Sequence, residues 1–87
     1  MTVVEKEMIL LIEDHETDRK LIAAALNKDG YRVLMAESGE HGLELLAEGQ
    51  PSLVMLDLVL PGMDGLEVCR QIRTKTDVPI IMVTGRD

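Results

Sequence analysis

Leu53-Val54-Met55-Leu56-Asp57-Leu58-Val59-Leu60-Pro61-Gly62-Met63-Asp64-Gly65 is a continuous apolar run holding a single carboxylate, and it leads directly into a proline–glycine turn. Short apolar runs bounded by turn signals read as strands buried on both faces, the kind found in parallel sheets. An acid inside such a run is costly unless it stands at the strand's end, where it reaches water, a metal or a ligand. Pro61, Gly62 and Gly65 stop the strand just past Asp57 and set its carboxylate at the C-terminal mouth. In open α/β sheets that edge is where ligands bind.

Downstream of this stretch, Asp64 is placed to cap a helix from about Gly65 to Thr74, with Leu66, Cys69 and Ile72 facing inward. Thr76-Asp77 leads into a fourth strand, Val78 to Val83, which tolerates Pro79 near its start. Upstream, Ser38 caps a helix from about Gly39 to Glu48 whose apolar stripe is Leu43, Leu46 and Ala47, and Gly49-Gln50-Pro51 ends it. Tyr31 to Ala36 is the second strand. Thr17 to Lys28 is the first helix, with Leu21, Ile22, Ala25 and Leu26 on one face and Gly30 as a left-handed C-terminal stop. Met8 to Ile12 is the first strand, and it ends in the acidic pair Glu13-Asp14. The order β-α-β-α-β-α-β with short links implies parallel strands joined by right-handed crossovers. The expected class is one doubly wound α/β domain.

With 87 residues there is room for a single small domain, and its 46% hydrophobic content rules out a disordered tail. Tyr31 is the only aromatic residue, so the core must be aliphatic, with Met35, Met55 and Met82 as filler. A net charge of −7 argues against direct contact with nucleic acid. Cys69 is the only cysteine; no internal disulfide is possible, and a small buried thiol is the reading. The segment Met1 to Glu7 is unlike a secretory signal, and Met8 to Ile12 is far too short to span a membrane. A cytoplasmic, soluble protein is expected. His15 reads as a solvated loop residue and His41 as part of the second helix's outer surface.

Polar groups leave apolar runs at three strand ends: Glu13-Asp14, Asp57 and Thr84. In a parallel sheet these ends share one edge, so groups distant in sequence converge. Acids brought together raise each other's proton affinity. A hard divalent cation relieves this, and Mg²⁺ suits a few carboxylates with waters and a phosphate oxygen. A magnesium-supported phosphoryl site is physically consistent with that pattern. Taken singly, Glu13, Asp14 or Thr84 is an ordinary loop or strand residue; Asp57 between Leu56 and Leu58 is harder to read so.

Together the Glu13-Asp14 pair after ILLI, Asp57 with Pro61 and Gly65 in DLVLPGMDG, and Thr84 closing VPIIMVT resemble the receiver domain of two-component response regulators, from about Met8 to Thr84. The resemblance implies a flavodoxin-like sheet with strand order 2-1-3-4 over the strands present, an arrangement known for such folds. It implies that Asp57 is the phosphoacceptor, taking a phosphoryl group from a histidine kinase or a phosphotransfer protein. It makes Asp14 a direct Mg²⁺ ligand, Glu13 a ligand through water, and Asp57 and the Val59 backbone carbonyl further ligands. Thr84 would hydrogen-bond the phosphoryl oxygen and move with it.

Domains of that family continue through a helix, a fifth strand carrying a lysine at its end, and a final helix. Nothing corresponding follows Thr84, so the chain is expected to be a receiver domain, residues 1–87, shortened at its C-terminus. Arg86 is the only cation after Thr84, and Lys75 precedes the fourth strand at the opposite edge. By the family's layout the fourth strand becomes an open edge, and one sheet face keeps only the first helix as cover, exposing apolar surface from the first and third strands. Homodimerisation or a domain-swapped association through the fourth strand is the expectation. The alternative to a phosphoacceptor is an association module that is not phosphorylated. A phosphohydrolase of the haloacid dehalogenase type is a remote third reading, because Val59 stands where such enzymes carry a second acid.

Overall fold

A computed structural model of the chain describes residues 6–83. The elements are β1 (Met8–Ile12), α1 (Glu16–Lys28), β2 (Arg32–Ala36), α2 (Gly39–Gly49), β3 (Leu53–Asp57), α3 (Gly65–Arg73) and β4 (Ile80–Val83). The strands form one four-stranded sheet in the order β2-β1-β3-β4, and every neighbouring pair is parallel. The expected α/β class and strand order 2-1-3-4 are therefore present.

The register decides where the site lies. Ile12, the last residue of β1, pairs with Ala36 on one side and Leu56 on the other. Asp57, the last residue of β3, pairs with Val83. The C-terminal ends of the strands are thus level, and whatever follows them emerges at one edge.

Period-two alternation divides the strands between two layers. Leu10, Ile12, Ala36, Val54 and Leu56 share a core with Leu46 of α2 and with Val68 and Ile72 of α3. Burying an aliphatic side chain of this kind contributes roughly 1.5–3 kcal/mol, and in a domain this small the central strands carry most of it. Ile9 and Leu11 face the other way; both are buried where α1 packs on β1 and β2.

Helix ends follow the signals in the sequence. The Ser38 hydroxyl accepts the His41 N–H at 3.1 Å, and Asp64 Oδ1 accepts the Glu67 N–H at 2.9 Å. After α1, Gly30 adopts φ +97°, the Gly30 N–H donates to Asn27 O and the Tyr31 N–H donates to Leu26 O. That paired closure is a Schellman stop.

Several expected facings differ. In α1 the buried side is Ala23 with half-buried Ile22 and Leu26, whereas Leu21 and Ala25 point outward. In α3 Val68 and Ile72 are buried and Leu66 is exposed, and in α2 Ala47 is exposed. In α3 both Leu66 and Val68 fit an apolar stripe ending at Ile72; the sheet accepts the row with the shorter β-branched residue. Cys69 packs partly buried against the core.

β4 starts at Ile80 rather than Val78, because Pro79 has no N–H for the ladder, although its carbonyl accepts the Val54 N–H at 2.9 Å. Met35 is exposed on the edge strand β2 instead of filling the core. The apolar exposure expected on β1 is absent, since β1 is flanked by strands on both sides and covered by α1. It falls instead on Ile81, 49% exposed on the edge strand β4, next to half-buried Leu53 and Met55 of β3.

Candidate functional site

Glu13 is the first residue beyond β1, and its N–H still donates to Ala36 O at 3.0 Å, so it leaves the sheet in line with the strand. Asp14 follows it in the turn to α1. Asp57 ends the adjacent strand β3. Level strand ends therefore bring the three acids together: one carboxylate oxygen from each lies within 4.8 Å of the others. Glu13 and Asp57 are only 5% and 2% exposed, and Asp14 is half-buried. One oxygen of each aspartate, Asp14 Oδ1 and Asp57 Oδ2, is withdrawn from water.

Backbone and side-chain hydrogen bonds orient these groups. The Val59 N–H donates to Asp57 Oδ1 at 3.0 Å, a two-residue turn that fixes the carboxylate at the strand mouth. The His15 N–H donates to Glu13 Oε2 at 3.0 Å. Gly65, the first residue of α3, lies so close to the end of β3 that its N–H donates to Leu58 O at 3.1 Å.

The electrostatics match a cation site. Burial pushes the Glu13 carboxyl above its ordinary value, and the neighbouring Asp57 and Asp14 carboxylates push it the same way, against the lowering effect of the His15 N–H. Glu13 therefore binds a proton more readily than a solvated glutamate does. A set of carboxylate oxygens at this spacing fits a hard divalent ion that keeps several waters. The donor chemistry suits Mg²⁺ and offers nothing soft for a thiophilic metal.

Thr84 and Arg86 lie outside the described residues; Val83 is the last residue before them, and its carbonyl accepts the Leu58 N–H at 3.3 Å. Val59 sits in the loop after Asp57, 59% exposed. Lys75 belongs to the opposite edge of the sheet, where it helps line a cleft of about 420 Å³ with Leu46, Pro51 and Val78. His15 is exposed, with Nδ1 3.4 Å from Asp18 Oδ2. His41 is half-buried instead of wholly outward; its Nδ1 lies 2.8 Å from Glu37 Oε2, a contact that holds the Glu37 carboxyl below its ordinary value.

Arg19 is the site neighbour that the sequence reading missed. From the first turns of α1 its Nη1 donates to Glu13 O at 2.9 Å and to Asp14 O at 3.3 Å. A cation near a helix N-terminus runs against the helix dipole, and that anomaly is the signal that could have singled it out.

The sequence matches the response regulator receiver domain family across residues 9–87. It is 49% identical over 79 residues to the transcriptional regulatory protein AfsQ1 of Streptomyces coelicolor, a match covering 91% of this chain and 35% of that protein. The chain thus spans about a third of the length of that relative. The BeF3-activated N-terminal receiver domain of Klebsiella pneumoniae RstA superposes with a TM-score of 0.87 at 37% identity, covering 93% of this chain and 69% of that one. The Vibrio cholerae chemotaxis protein CheY4 superposes at 0.90 over 95% of this chain and 72% of its own; at 23% identity it shows the fold alone.

Proposed function

The chain belongs to the response regulator receiver domain family, and on that premise we propose that it is a phosphoacceptor unit of two-component signalling whose Asp57 takes a phosphoryl group. The observation that carries this reading is the gathering of Glu13, Asp14 and Asp57 within 4.8 Å at the sheet's C-terminal edge. The donor would be a phosphohistidine of a histidine kinase or phosphotransfer protein, in the cytoplasm. The chain acts as a regulatory acceptor and turns over no substrate of its own.

In the transfer, a carboxylate oxygen of Asp57 forms the new O–P bond while the donor's N–P bond breaks, and the departing imidazole takes up a proton. The product is an acyl phosphate on Asp57. The Val59 N–H keeps the attacking carboxylate facing out of the strand mouth, and the apolar run Leu53–Leu56 behind it prevents retreat into the core. Catalysis of this kind is mainly positioning and electrostatics. Asp14 and Asp57 would hold Mg²⁺ directly, Glu13 through water, and the Val59 carbonyl would complete the protein's share. When bound, the ion supplies charge neutralisation for the acids and the phosphoryl oxygens. Thr84 is assigned the hydrogen bond to the phosphoryl oxygen and a movement with it that would alter a protein–protein surface.

A second reading is favoured by the position of β4 at the sheet edge with Ile81 49% exposed. An open edge strand is a template for pairing with another chain, so association of two copies through β4, by edge pairing or by swapping, is a proposed partner mode. Such a module would associate without being phosphorylated.

Incubation with acetyl phosphate separates the readings. The phosphoacceptor gains a phosphoryl mass in Mg²⁺ and loses the gain in a chelator. A pure association module gains none, while light scattering reports its dimer.

A further inference from the structure

The turn that carries Glu13 and Asp14 is braced by its own backbone and by the elements on either side of it, β2 and α1. Glu13 is tied to β2 through its N–H on Ala36 O, and to the turn itself through Oε2 on the His15 N–H. The third tie is the Arg19 guanidinium, whose single Nη1 reaches the carbonyls of both Glu13 and Asp14, at 2.9 and 3.3 Å. Arg19 is half-buried and lies one turn into α1.

We propose that Arg19 is a positioning residue for the divalent-cation site: by holding the peptide carbonyls behind both acids, it sets the orientation from which Glu13 and Asp14 offer their carboxylates. This rests on the reading of the acidic cluster as a Mg²⁺ site and deepens it. Groups that orient metal ligands from behind change metal affinity by about 10–100-fold when removed. Mg²⁺ is the ion most sensitive to such a loss, because it demands near-ideal octahedral geometry, whereas Ca²⁺ accepts irregular sites.

Simple electrostatics predicts the opposite sign. Arg19 brings a positive charge close to where a cation binds, so removing it should tighten binding of any divalent ion. A positioning role predicts weaker binding, and weaker for Mg²⁺ than for Ca²⁺.

The test is calorimetric titration of the full chain with Mg²⁺ and with Ca²⁺, comparing wild type, Arg19→Met and Arg19→Lys, with folding of each variant checked by circular dichroism. Arg19→Met is expected to raise the Mg²⁺ dissociation constant about tenfold and to lower the Mg²⁺/Ca²⁺ preference. Arg19→Lys, which keeps the positive charge and an N–H donor on a side chain one bond shorter, is expected to recover part of both. Should Arg19→Met not fold, Arg19→Lys alone decides, with a smaller loss of the same sign and the same shift in preference. Unchanged or tighter Mg²⁺ binding in the variants, beside normal binding by wild type, overturns the role of Arg19 and leaves the metal site standing. Absence of saturable Mg²⁺ binding by wild type overturns both.

Discussion

Gly65 lies against the carbonyl of Asp57: a Cβ at position 65 would stand 2.6 Å from that oxygen and 2.7 Å from Leu58 Cα. Both are backbone atoms, so no side chain can swing aside to make room. The first turn of α3 is thereby seated directly on the end of β3. Gly65→Ala is expected to lower the unfolding free energy by about 1–3 kcal/mol, as overpacking does, in a urea titration followed by circular dichroism. A variant as stable as wild type would show that the contact is not tight.

Glu13→Gln tests the repulsion within the acidic cluster. The Glu13 carboxyl is raised above its ordinary value by burial and then by its acidic neighbours. A raised folded value means the folded state binds the proton more tightly than the unfolded one. The stability from that proton is complete below the unfolded value and is lost as pH rises through the folded value. In a chelator at neutral pH, Glu13→Gln should therefore melt higher than wild type, and the gap should close as pH falls into the acid range. A gap independent of pH contradicts this.

Val68 and Leu66 offer a test of how α3 faces the sheet. Val68 is fully buried and Leu66 is 58% exposed. Truncating Val68 to Ala is expected to cost at least about 1 kcal/mol through the cavity it leaves. Leu66→Ala should stay within about 0.5 kcal/mol of wild type. Equal losses in thermal melts of the two variants would mean that α3 is rotated from this orientation.

Asp64 closes the first turn of α3 by accepting the Glu67 N–H at 2.9 Å. Asp64→Ala is expected to destabilise the domain by about 1 kcal/mol, and Asp64→Asn by much less, since asparagine caps about equally well. Identical losses for the two would place the effect in the charge rather than in the cap.

The architecture was legible because its signals are local. Asp57 between Leu56 and Leu58, followed by Pro61 and Gly65, marks a buried strand and its mouth without reference to any other segment. Ser38, Asp64 and Gly30 mark helix ends by their own chemistry. The facing of the helices was less legible, because adjacent rows such as Leu66 and Val68 both fit an apolar stripe, and only the sheet decides between them. Met35 looked like core because Val33 to Ala36 is a continuous apolar run, as in a buried strand, yet its place at the sheet edge leaves it exposed.

In the site, the acids could be named, but their spacing depends on register. Ile12 opposite Leu56 sets Glu13 level with Asp57, and no motif states that pairing. Arg19 was only faintly legible: its place in the first turn of α1 is anomalous for a cation, but its partners are backbone carbonyls, which every residue has.

The central claim is that Asp57 accepts a phosphoryl group with the support of Mg²⁺. It is tested most directly by intact-mass measurement of wild type and Asp57→Asn after incubation with acetyl phosphate and Mg²⁺. The account predicts a single phosphoryl addition on wild type, lost when Mg²⁺ is chelated, and none on Asp57→Asn. Equal addition to both proteins, or none to a wild type that binds Mg²⁺, would contradict it.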